Sequence, residues 1–222
     1  MLNKFAVLDD FIPPSYQEHL HSIFYQQVQG QMWSFSSLTS GGVDLVRKFK
    51  EGIKEYDVED GPQMVCMTTA DGQVYHQSWF DLRPITWFAE QATGMKITRT
   101  NRCKVNLNPL DSSWHKKIHT PHSDIGSYIE QNITPKDTAY SLIYYIKDAD
   151  GPTVIFDRTI DDFLYKKLPL KVIGEITPKM GRAVLLPSDL LHSGTNPTKS
   201  DCRIVVNFVF HTEEKVNFES LI

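Results

Sequence analysis

The amino-acid sequence predicts a mainly β (α+β) protein in which helices pack on the outside of an antiparallel β-sandwich or barrel. Two observations support this fold class. Short apolar segments rich in branched residues follow one another in the second half of the chain, each bounded by Gly, Pro, Asp or Asn. Helical spacing of apolar residues, by contrast, is confined to the first half. About eight strands are expected, which is typical of sandwiches and barrels.

The first half of the chain contains one predicted strand and two predicted helices. Residues 4–8 form the strand, and the helix "PPSYQEHLHSIFYQQVQG" follows, with a proline near its start and Gly30 at its end. The second helix is "RPITWFAEQATG" (83–94), which is bounded in the same way. Residues 31–82 show a weak pattern, in which "LVRKFKEGIKEY" is expected to be a short exposed helix.

The second half of the chain contains the predicted strands of the core. Each segment is short and is separated from the next by turn residues. The strands are expected in "KITRTNRCKVNLNP", "TAYSLIYYIKD" (138–148), "PTVIFD", "KVIGEITP", "RAVLLP" and "CRIVVNFVFHT".

Composition is that of an ordinary globular protein, with 41% hydrophobic and 23% charged residues among 222. The net charge of -4 disfavours a nucleic-acid partner. Three widely spaced cysteines without a CxxC pair support neither a zinc ribbon nor a disulfide framework, so a reducing, cytoplasmic setting is expected. The beginning of the sequence lacks the pattern of a signal peptide, and no apolar run predicts a membrane span.

A histidine-rich segment, "WHKKIHTPHSD", ends in the triplet His122-Ser-Asp124. Residues i and i+2 of an extended strand point to the same side, so His122 and Asp124 project together. His192, far downstream in "LLPSDLLHSGTNP" and at the expected end of a strand, is the best third ligand. Two histidines and one carboxylate leave coordination positions open, which suits non-heme Fe(II), whereas a structural zinc site would be closed.

The sequence also allows other interpretations of the histidines and of Arg203. A His-x-Asp triplet alone is common, and His115 or His119 could replace one of the ligands, although both are expected to be solvated loop histidines. Arg203 lies near the start of the apolar strand "CRIVVNFVFHT", and a buried guanidinium requires an anionic partner. A bound carboxylate and a structural ion pair with Asp or Glu are equally compatible with its position.

Taken together, these features resemble the 2-oxoglutarate- and Fe(II)-dependent dioxygenases, whose pattern is His-x-Asp, a distal His and then a basic residue. Within that superfamily, "NLNPL", "IYYIKD" and "DGPTVIF" resemble the prolyl-hydroxylase branch. The resemblance covers about residues 96–212 and implies a double-stranded β-helix, or jelly-roll, core there. It implies one domain over residues 1–222, in which residues 1–95 form a helical and lid region.

The resemblance also implies the roles of particular residues. Iron is assigned to His122, Asp124 and His192. Arg203 and Tyr145 are assigned to the distal carboxylate of 2-oxoglutarate, although Tyr145 could equally be a core aromatic residue. Asn108 is expected near the metal-bound end of 2-oxoglutarate, at a position where the family often has tyrosine. The implied cofactors are Fe(II), 2-oxoglutarate and O2, with ascorbate as a further cofactor that the family admits.

The expected reaction is hydroxylation of a C–H bond. A prolyl or other peptidyl residue is the first choice of substrate, and no membrane partner is expected. A free amino acid or other small metabolite and an alkylated nucleobase are the alternatives, and the acidic balance counts against the nucleobase. A non-catalytic jelly-roll binding protein and a cupin-like metalloenzyme are the competing classes. Five aromatic residues could line a peptide groove, although core packing is expected for most: Trp33, Phe35, Tyr75, Trp79 and Phe80.

Overall fold

The computed structural model describes residues 4–26, 33–38, 49–127, 138–167 and 169–221 and is mainly β with few helices, as predicted. Its helices are α1 (Pro14–His21), continued by a π-helical turn (Ser22–Gln26), α2 (Trp79–Leu82), α3 (Pro84–Thr93), α4 (Ile160–Lys166) and a 3-10 turn (Phe218–Leu221). Its strands are β1 (Ala6–Leu8), β2 (Ser34–Ser36), β3 (Asp57–Val58), β4 (Gln63–Ala70), β5 (Gln73–Val74), β6 (Ile97–Pro109), β7 (Lys117–Ile118), β8 (Ala139–Tyr145), β9 (Thr153–Thr159), β10 (Val172–Ile176), β11 (Ala183–Pro187), β12 (Leu190–Ser193) and β13 (Cys202–Thr212).

Two antiparallel sheets dominate the described part of the chain. The major sheet has eight strands in the order β1-β11-β8-β13-β6-β4-β2, and β5 pairs with β4. The minor sheet has three strands in the order β10-β9-β12. Strands β3 and β7 form a separate parallel pair. The predicted antiparallel arrangement is therefore confirmed for both large sheets.

Strands β8 and β13 lie at the centre of the major sheet and are buried on both faces. Burial on both faces explains why their sequences are nearly continuous apolar runs rather than alternating ones. Strand β6 alternates instead. Cys103 and Val105 are buried in the largest core cluster, whereas the even-numbered residues between 102 and 108 are polar and face the other way. The polar face of β6 consequently forms part of the candidate site described below.

Strand β4 is an eight-residue strand of the major sheet that the sequence did not predict. It lies between β6 and β2 in the major sheet and falls within the region of weak pattern, residues 31–82. Its pairing with β6 shifts register between Met67 and Thr69, which is a β-bulge or irregularity. This shift interrupts the period of two on which strand prediction depends.

The predicted helices agree with the structure in part. Helix α3 ends as predicted at Gly94, whose φ of 70° is a left-handed conformation that glycine adopts without strain. Gly30 lies outside the described residues. The helical residues 49–52 fall within the predicted exposed helix, but Phe49 is fully buried and stacks on Phe163, so the prediction of exposure is wrong there.

The N-terminal part of the chain contributes strands as well as helices. Strands β1, β2 and β4 all precede residue 96 and all join the major sheet. Helix α4, in the second half, lies between strands β9 and β10 of the minor sheet, and its N-cap is Thr159, whose side chain accepts a hydrogen bond from the backbone N–H of Asp162. Among the described residues, no helix has the length and apolarity that crossing a membrane would require.

Asp150 is expected to make a pH-dependent contribution to stability. Its carboxylate accepts hydrogen bonds from the backbone N–H groups of Thr198, Lys199 and Ser200 and from the Thr198 hydroxyl. Partial burial raises the pKa of Asp150, but these donors outweigh it and hold the pKa well below the ordinary value. The stabilisation is therefore present above the ordinary carboxyl pKa and is lost as the pH falls towards the lower folded-state pKa.

We expect Asp150→Asn to lower the free energy of unfolding at pH 7 by about 2 kcal/mol. Some of the N–H groups that now donate to the carboxylate would instead face the amide N–H₂ group of asparagine, which cannot accept a hydrogen bond. The melting temperature would fall by about 4 to 8 °C. At about pH 3, where the unfolded carboxyl is largely protonated, the difference from the unmodified protein should shrink. Thermal unfolding at the two pH values, with exposed Asp71→Asn as the control, checks this, and an equal effect at both values would contradict it.

Candidate metal centre

The structure brings His122, Asp124 and His192 together as the sequence predicted. One possible ligand atom from each residue lies within 4.8 Å of those of the other two. Backbone pairing creates the cluster, because the N–H of His122 donates to the carbonyl of His192 at 2.9 Å and the reverse bond is 3.0 Å. The N–H of Asp124 donates to the carbonyl of Ser188 at 2.9 Å. The sequence indicated that His192 lies at the end of the preceding strand. In the structure it lies instead in a strand of its own, β12.

Backbone carbonyls orient both imidazole rings. Nδ1 of His122 lies 3.3 Å from the carbonyl of Thr120, and Nδ1 of His192 lies 3.0 Å from the carbonyl of Leu190. A carbonyl oxygen only accepts, so each Nδ1 carries the proton and each Nε2 keeps its lone pair. Nε2 of His192 is buried and has no hydrogen-bond partner. This orientation of the free nitrogen is the one found in histidines that bind metals.

The charge state of the cluster also suits a cation. Burial raises the pKa of Asp124, but the adjacent imidazoles and the Arg102 guanidinium oppose it and hold the pKa well below its usual range. Burial and the neighbouring His192 lower the pKa of His122 to about 3. At neutral pH the cluster therefore contains an ionised carboxylate beside the neutral imidazole of His122, and metal ligation requires both forms.

Two residues that the sequence analysis missed fix the Asp124 carboxylate. Nη2 of Arg102 donates to Oδ1 at 2.6 Å, and Nδ2 of Asn207 donates to Oδ2 at 3.0 Å. Both residues lie on strands of the major sheet, and Asn207 is a buried polar residue in an otherwise apolar strand. A polar residue in such a position needs hydrogen-bond partners, and this was the signal available in the sequence.

Arg203 is buried, with 4% of its surface exposed, and its guanidinium is held by neutral acceptors. Nε donates to the Gly151 carbonyl at 2.8 Å and Nη2 donates to Oγ1 of Thr153 at 2.7 Å. No carboxylate of the described residues lies within ion-pair distance of it, so the structural ion pair is not found in this part of the chain. Burial lowers the pKa of Arg203, which means that a bound anion would be strongly favoured there.

Tyr145 lies beside Arg203. Its hydroxyl donates to Oγ1 of Thr153 at 2.7 Å, and Cζ of Arg203 lies 5.8 Å from the centre of its ring. The ring itself is fully buried in a core cluster, so both roles considered for this residue fit its position. Asn108 also lies beside Arg203, whose Nη1 donates to it at 3.4 Å, whereas the sequence placed Asn108 near the metal-bound end of the co-substrate.

His119 is buried, so the prediction of a solvated loop histidine is wrong for this residue. The backbone N–H of His119 donates to the carbonyl of Gly194 at 3.0 Å. This bond holds the histidine-rich segment next to the end of β12, the strand that contains His192. Nε2 of His119 lies 2.9 Å from Oδ1 of Asn196, and burial lowers the pKa of His119 to about 4. His115, in contrast, is exposed as predicted.

A central cavity connects the metal cluster to Arg203. The polar face of β6 and the facing residues of β13 form one wall. Three cross-strand pairs follow one another along this wall: Asn108 with Arg203, Asn106 with Val205, and Lys104 with Asn207. Since Asn207 contacts Asp124, Arg203 lies at one end of this series and the metal cluster lies at the other.

The aromatic residues of the 31–82 region are mostly exposed, contrary to the prediction. Phe35, Tyr75 and Phe80 are each at least 60% exposed. Trp33 is buried, and Trp79 is partly buried against the core cluster. The exposed residues lie on an edge strand, a loop and a four-residue helix, where the local pattern carries little information about burial.

No family model matches the sequence, and a search of curated proteins finds no match. The fold, however, is similar to solved structures of non-heme iron oxygenases. The α-ketoglutarate-dependent epimerase SnoN from nogalamycin biosynthesis has a TM-score of 0.58 at 10% identity, over 94% of this chain and 78% of that chain. A Trichoplax adhaerens prolyl hydroxylase, in complex with a fragment of hypoxia-inducible factor, has a TM-score of 0.54 at 14% identity, over 95% and 84%.

A prolyl-4-hydroxylase from Pseudomonas putida is similar as well, with a TM-score of 0.52 at 12% identity over 95% of this chain and 94% of that chain. The chain therefore has the fold of the 2-oxoglutarate and Fe(II) oxygenases, a group that includes prolyl hydroxylases. The resemblance seen in the sequence is confirmed at the level of the fold.

Proposed function

We propose that this protein is a 2-oxoglutarate- and Fe(II)-dependent oxygenase that hydroxylates a C–H bond. The observation that carries the proposal is the pairing, around one cavity, of a two-histidine, one-carboxylate cluster with a buried arginine that has only neutral partners among the described residues. A cluster of this composition leaves coordination positions for other ligands. A buried guanidinium is suited to bidentate contact with a carboxylate.

His122, Asp124 and His192 would hold the iron. The buried Nε2 of His192 has no hydrogen-bond partner and lies 3.5 Å from Oδ2 of the ionised Asp124 carboxylate, and this pair of groups fits a divalent cation. When bound, Fe(II) supplies the oxidation of a C–H bond by O2 with 2-oxoglutarate as co-substrate, and ascorbate would keep the iron reduced. The protein orients these partners and excludes water from the cavity.

Arg203 would bind the distal carboxylate of 2-oxoglutarate, with Tyr145 and Asn108 beside it. Thr153 accepts hydrogen bonds from both Arg203 and Tyr145, and this arrangement fixes the orientation of the guanidinium before a ligand binds. We further propose that the two large sheets form a double-stranded β-helix within one domain, residues 1–222, with its catalytic core over residues 96–212. The similarity to solved oxygenases supports this assignment.

Features of the surface and of the cavity support two classes of substrate. A prolyl or other peptidyl residue is supported by the likeness to prolyl hydroxylase structures, and the exposed Phe35, Tyr75 and Phe80 offer apolar surface for a peptide. A small carboxylate-bearing metabolite is supported by Lys104, a cavity residue with no ion-pair partner among the described residues. A nucleobase substrate has no comparable support.

The test is the release of succinate by the purified protein supplied with Fe(II), 2-oxoglutarate and ascorbate. We expect succinate above the level of a protein-free control, and a mass gain of one oxygen atom in the substrate. Peptides, amino acids and nucleic acids would be screened in parallel. Failure to release succinate under any of these conditions would favour the non-catalytic binding protein.

We also expect Asn207→Ala to weaken metal binding by about 10- to 100-fold, because Asn207 fixes the Asp124 carboxylate through a hydrogen bond. Titration with Mn(II) measures the effect. Asn101→Ala is the matched control, since the Asn101 side chain accepts a hydrogen bond from Arg99 and, among the described residues, makes none with Asp124. Equal metal affinity in the two variants would contradict a supporting role for Asn207.

A further inference from the structure

Lys104 is the starting point for an inference about the substrate. It lies on the polar face of β6 and lines the central cavity. Among the described residues, no acceptor forms a hydrogen bond or ion pair with its Nζ. Burial and the adjacent Arg102 lower the pKa of Lys104, whereas Asp124 opposes this change. Lys104 is partly buried, and the Asp124 carboxylate already accepts hydrogen bonds from Arg102 and Asn207, so a further anion would be favoured at the Lys104 ammonium.

Two unpartnered acceptors flank Lys104. Oδ1 of Asn207, directly opposite Lys104 on β13, is buried and accepts no hydrogen bond. The amide nitrogen of Asn207 faces the Asp124 carboxylate, so its oxygen must face the other way. Oδ1 of Asn106, the next residue on the cavity face of β6, is also buried and unpartnered. One cation and two acceptors are therefore concentrated in a small area, which we call the Lys104 cluster (Lys104, Asn106 and Asn207).

Lys104 and Asn207 are separate from Arg203, the residue expected to hold the distal carboxylate of 2-oxoglutarate. Arg203 lies four residues from Asn207 on the same strand, about 13 Å along the strand. Asn207 contacts Asp124, so the cluster lies beside the metal ligands, at the end of the wall away from Arg203. We assign an anion at Lys104 to a second molecule held next to the metal, rather than to the metal-bound end of 2-oxoglutarate, and the 2-oxoglutarate dependence of Lys104→Met distinguishes the two.

We propose that the Lys104 cluster binds the primary substrate and that this substrate is a free amino acid. The carboxylate would contact Nζ of Lys104, and the ammonium N–H groups would donate to the amide oxygens of Asn106 and Asn207. A prolyl residue inside a peptide offers neither group, because its carboxyl and amino groups are both amides. This inference rests on the proposed oxygenase function and names the substrate class of the same site.

The first test compares charged and neutral ligands. The probes are the free protein amino acids, each beside its carboxamide, and a proline-containing peptide. Binding is measured by calorimetry on protein loaded with Mn(II) and 2-oxoglutarate, and turnover is measured as succinate and as the mass gain of one oxygen atom. We expect at least one amino acid to bind about 10- to 100-fold more tightly than its carboxamide. Equal binding of acid and amide, or binding of the peptide alone, would overturn the proposal.

The second test uses variants. Lys104→Met should weaken binding of the amino acid by about 10- to 100-fold. Lys96→Met, which removes an exposed lysine just before β6, is the matched control. A rise in the 2-oxoglutarate requirement of Lys104→Met would assign Lys104 to the co-substrate and overturn the proposal.

Asn106→Leu provides an independent measurement. A residue placed for a ligand contributes no internal hydrogen bond through Oδ1, so this variant should keep or raise the melting temperature while weakening amino-acid binding several-fold. A fall in melting temperature with unchanged binding would show a structural role and count against the cluster. The proposed function has its own readout, since succinate release from 2-oxoglutarate without amino acid tests it separately.

Discussion

Replacement of His122, Asp124 or His192 by alanine is expected to abolish 2-oxoglutarate turnover. Each substitution removes one of the three groups that would hold Fe(II), and the buried cluster offers no fourth protein ligand among the described residues. Succinate release by each purified variant should fall to the level of a protein-free reaction. The fold should persist, because the antiparallel pairing of the His122 segment with β12 uses backbone groups rather than the side chains.

A matched control comes from the same histidine-rich segment. His115→Ala removes an exposed histidine outside the cluster and should retain full turnover. Circular dichroism and thermal unfolding would verify that the inactive variants remain folded. Normal succinate production by any of the three cluster variants would refute its assignment as an iron ligand.

Substitution of Arg203 by alanine is expected to raise the concentration of 2-oxoglutarate needed for half-maximal turnover by about 100-fold or more, because a buried, charge-assisted contact with a carboxylate would be lost. Metal affinity should change little, since Arg203 lies at the end of the β13 wall away from Asn207 and Asp124. Turnover measured against 2-oxoglutarate concentration, together with Mn(II) titration, separates the two effects.

Arg99→Ala is the control for this prediction, because Arg99 is exposed and, in the part of the chain that the structure describes, its side chain donates a hydrogen bond to Asn101 alone. An unchanged 2-oxoglutarate dependence in Arg203→Ala would contradict the assignment. If the melting temperature also fell, Arg203 would instead hold the loop at Gly151 and Thr153 in place, as its hydrogen bonds allow.

The parts of the fold that could be predicted are those with strong local patterns. Strands β8 and β13 are nearly continuous apolar runs, and α3 has a proline at its start and a glycine at its C-cap. The proximity of His122 and Asp124 could be predicted as well, because the His-x-Asp spacing fixes two side chains on one side of a strand. His192 can join His122 and Asp124 only if a strand far away in the sequence pairs with the histidine-rich segment. The structure contains that pairing, between His122 and His192.

The remaining features depend on contacts between residues that are far apart in sequence. His119 is buried because its backbone pairs with Gly194, and nothing in the neighbouring residues indicates that contact. Lys104 appears as one polar residue in an alternating strand, and its importance emerges only when Asn207 and Asn106 are seen to flank it. Strand β4 was missed because its register shift interrupts the alternation.

The central claim is that three side chains share one metal ion. Anomalous scattering at the iron absorption edge, from crystals grown anaerobically with Fe(II), locates the ion directly. We expect one peak in contact with Nε2 of His122, a carboxylate oxygen of Asp124 and Nε2 of His192. A peak at other residues, or no peak between these three, would contradict the assignment of the site.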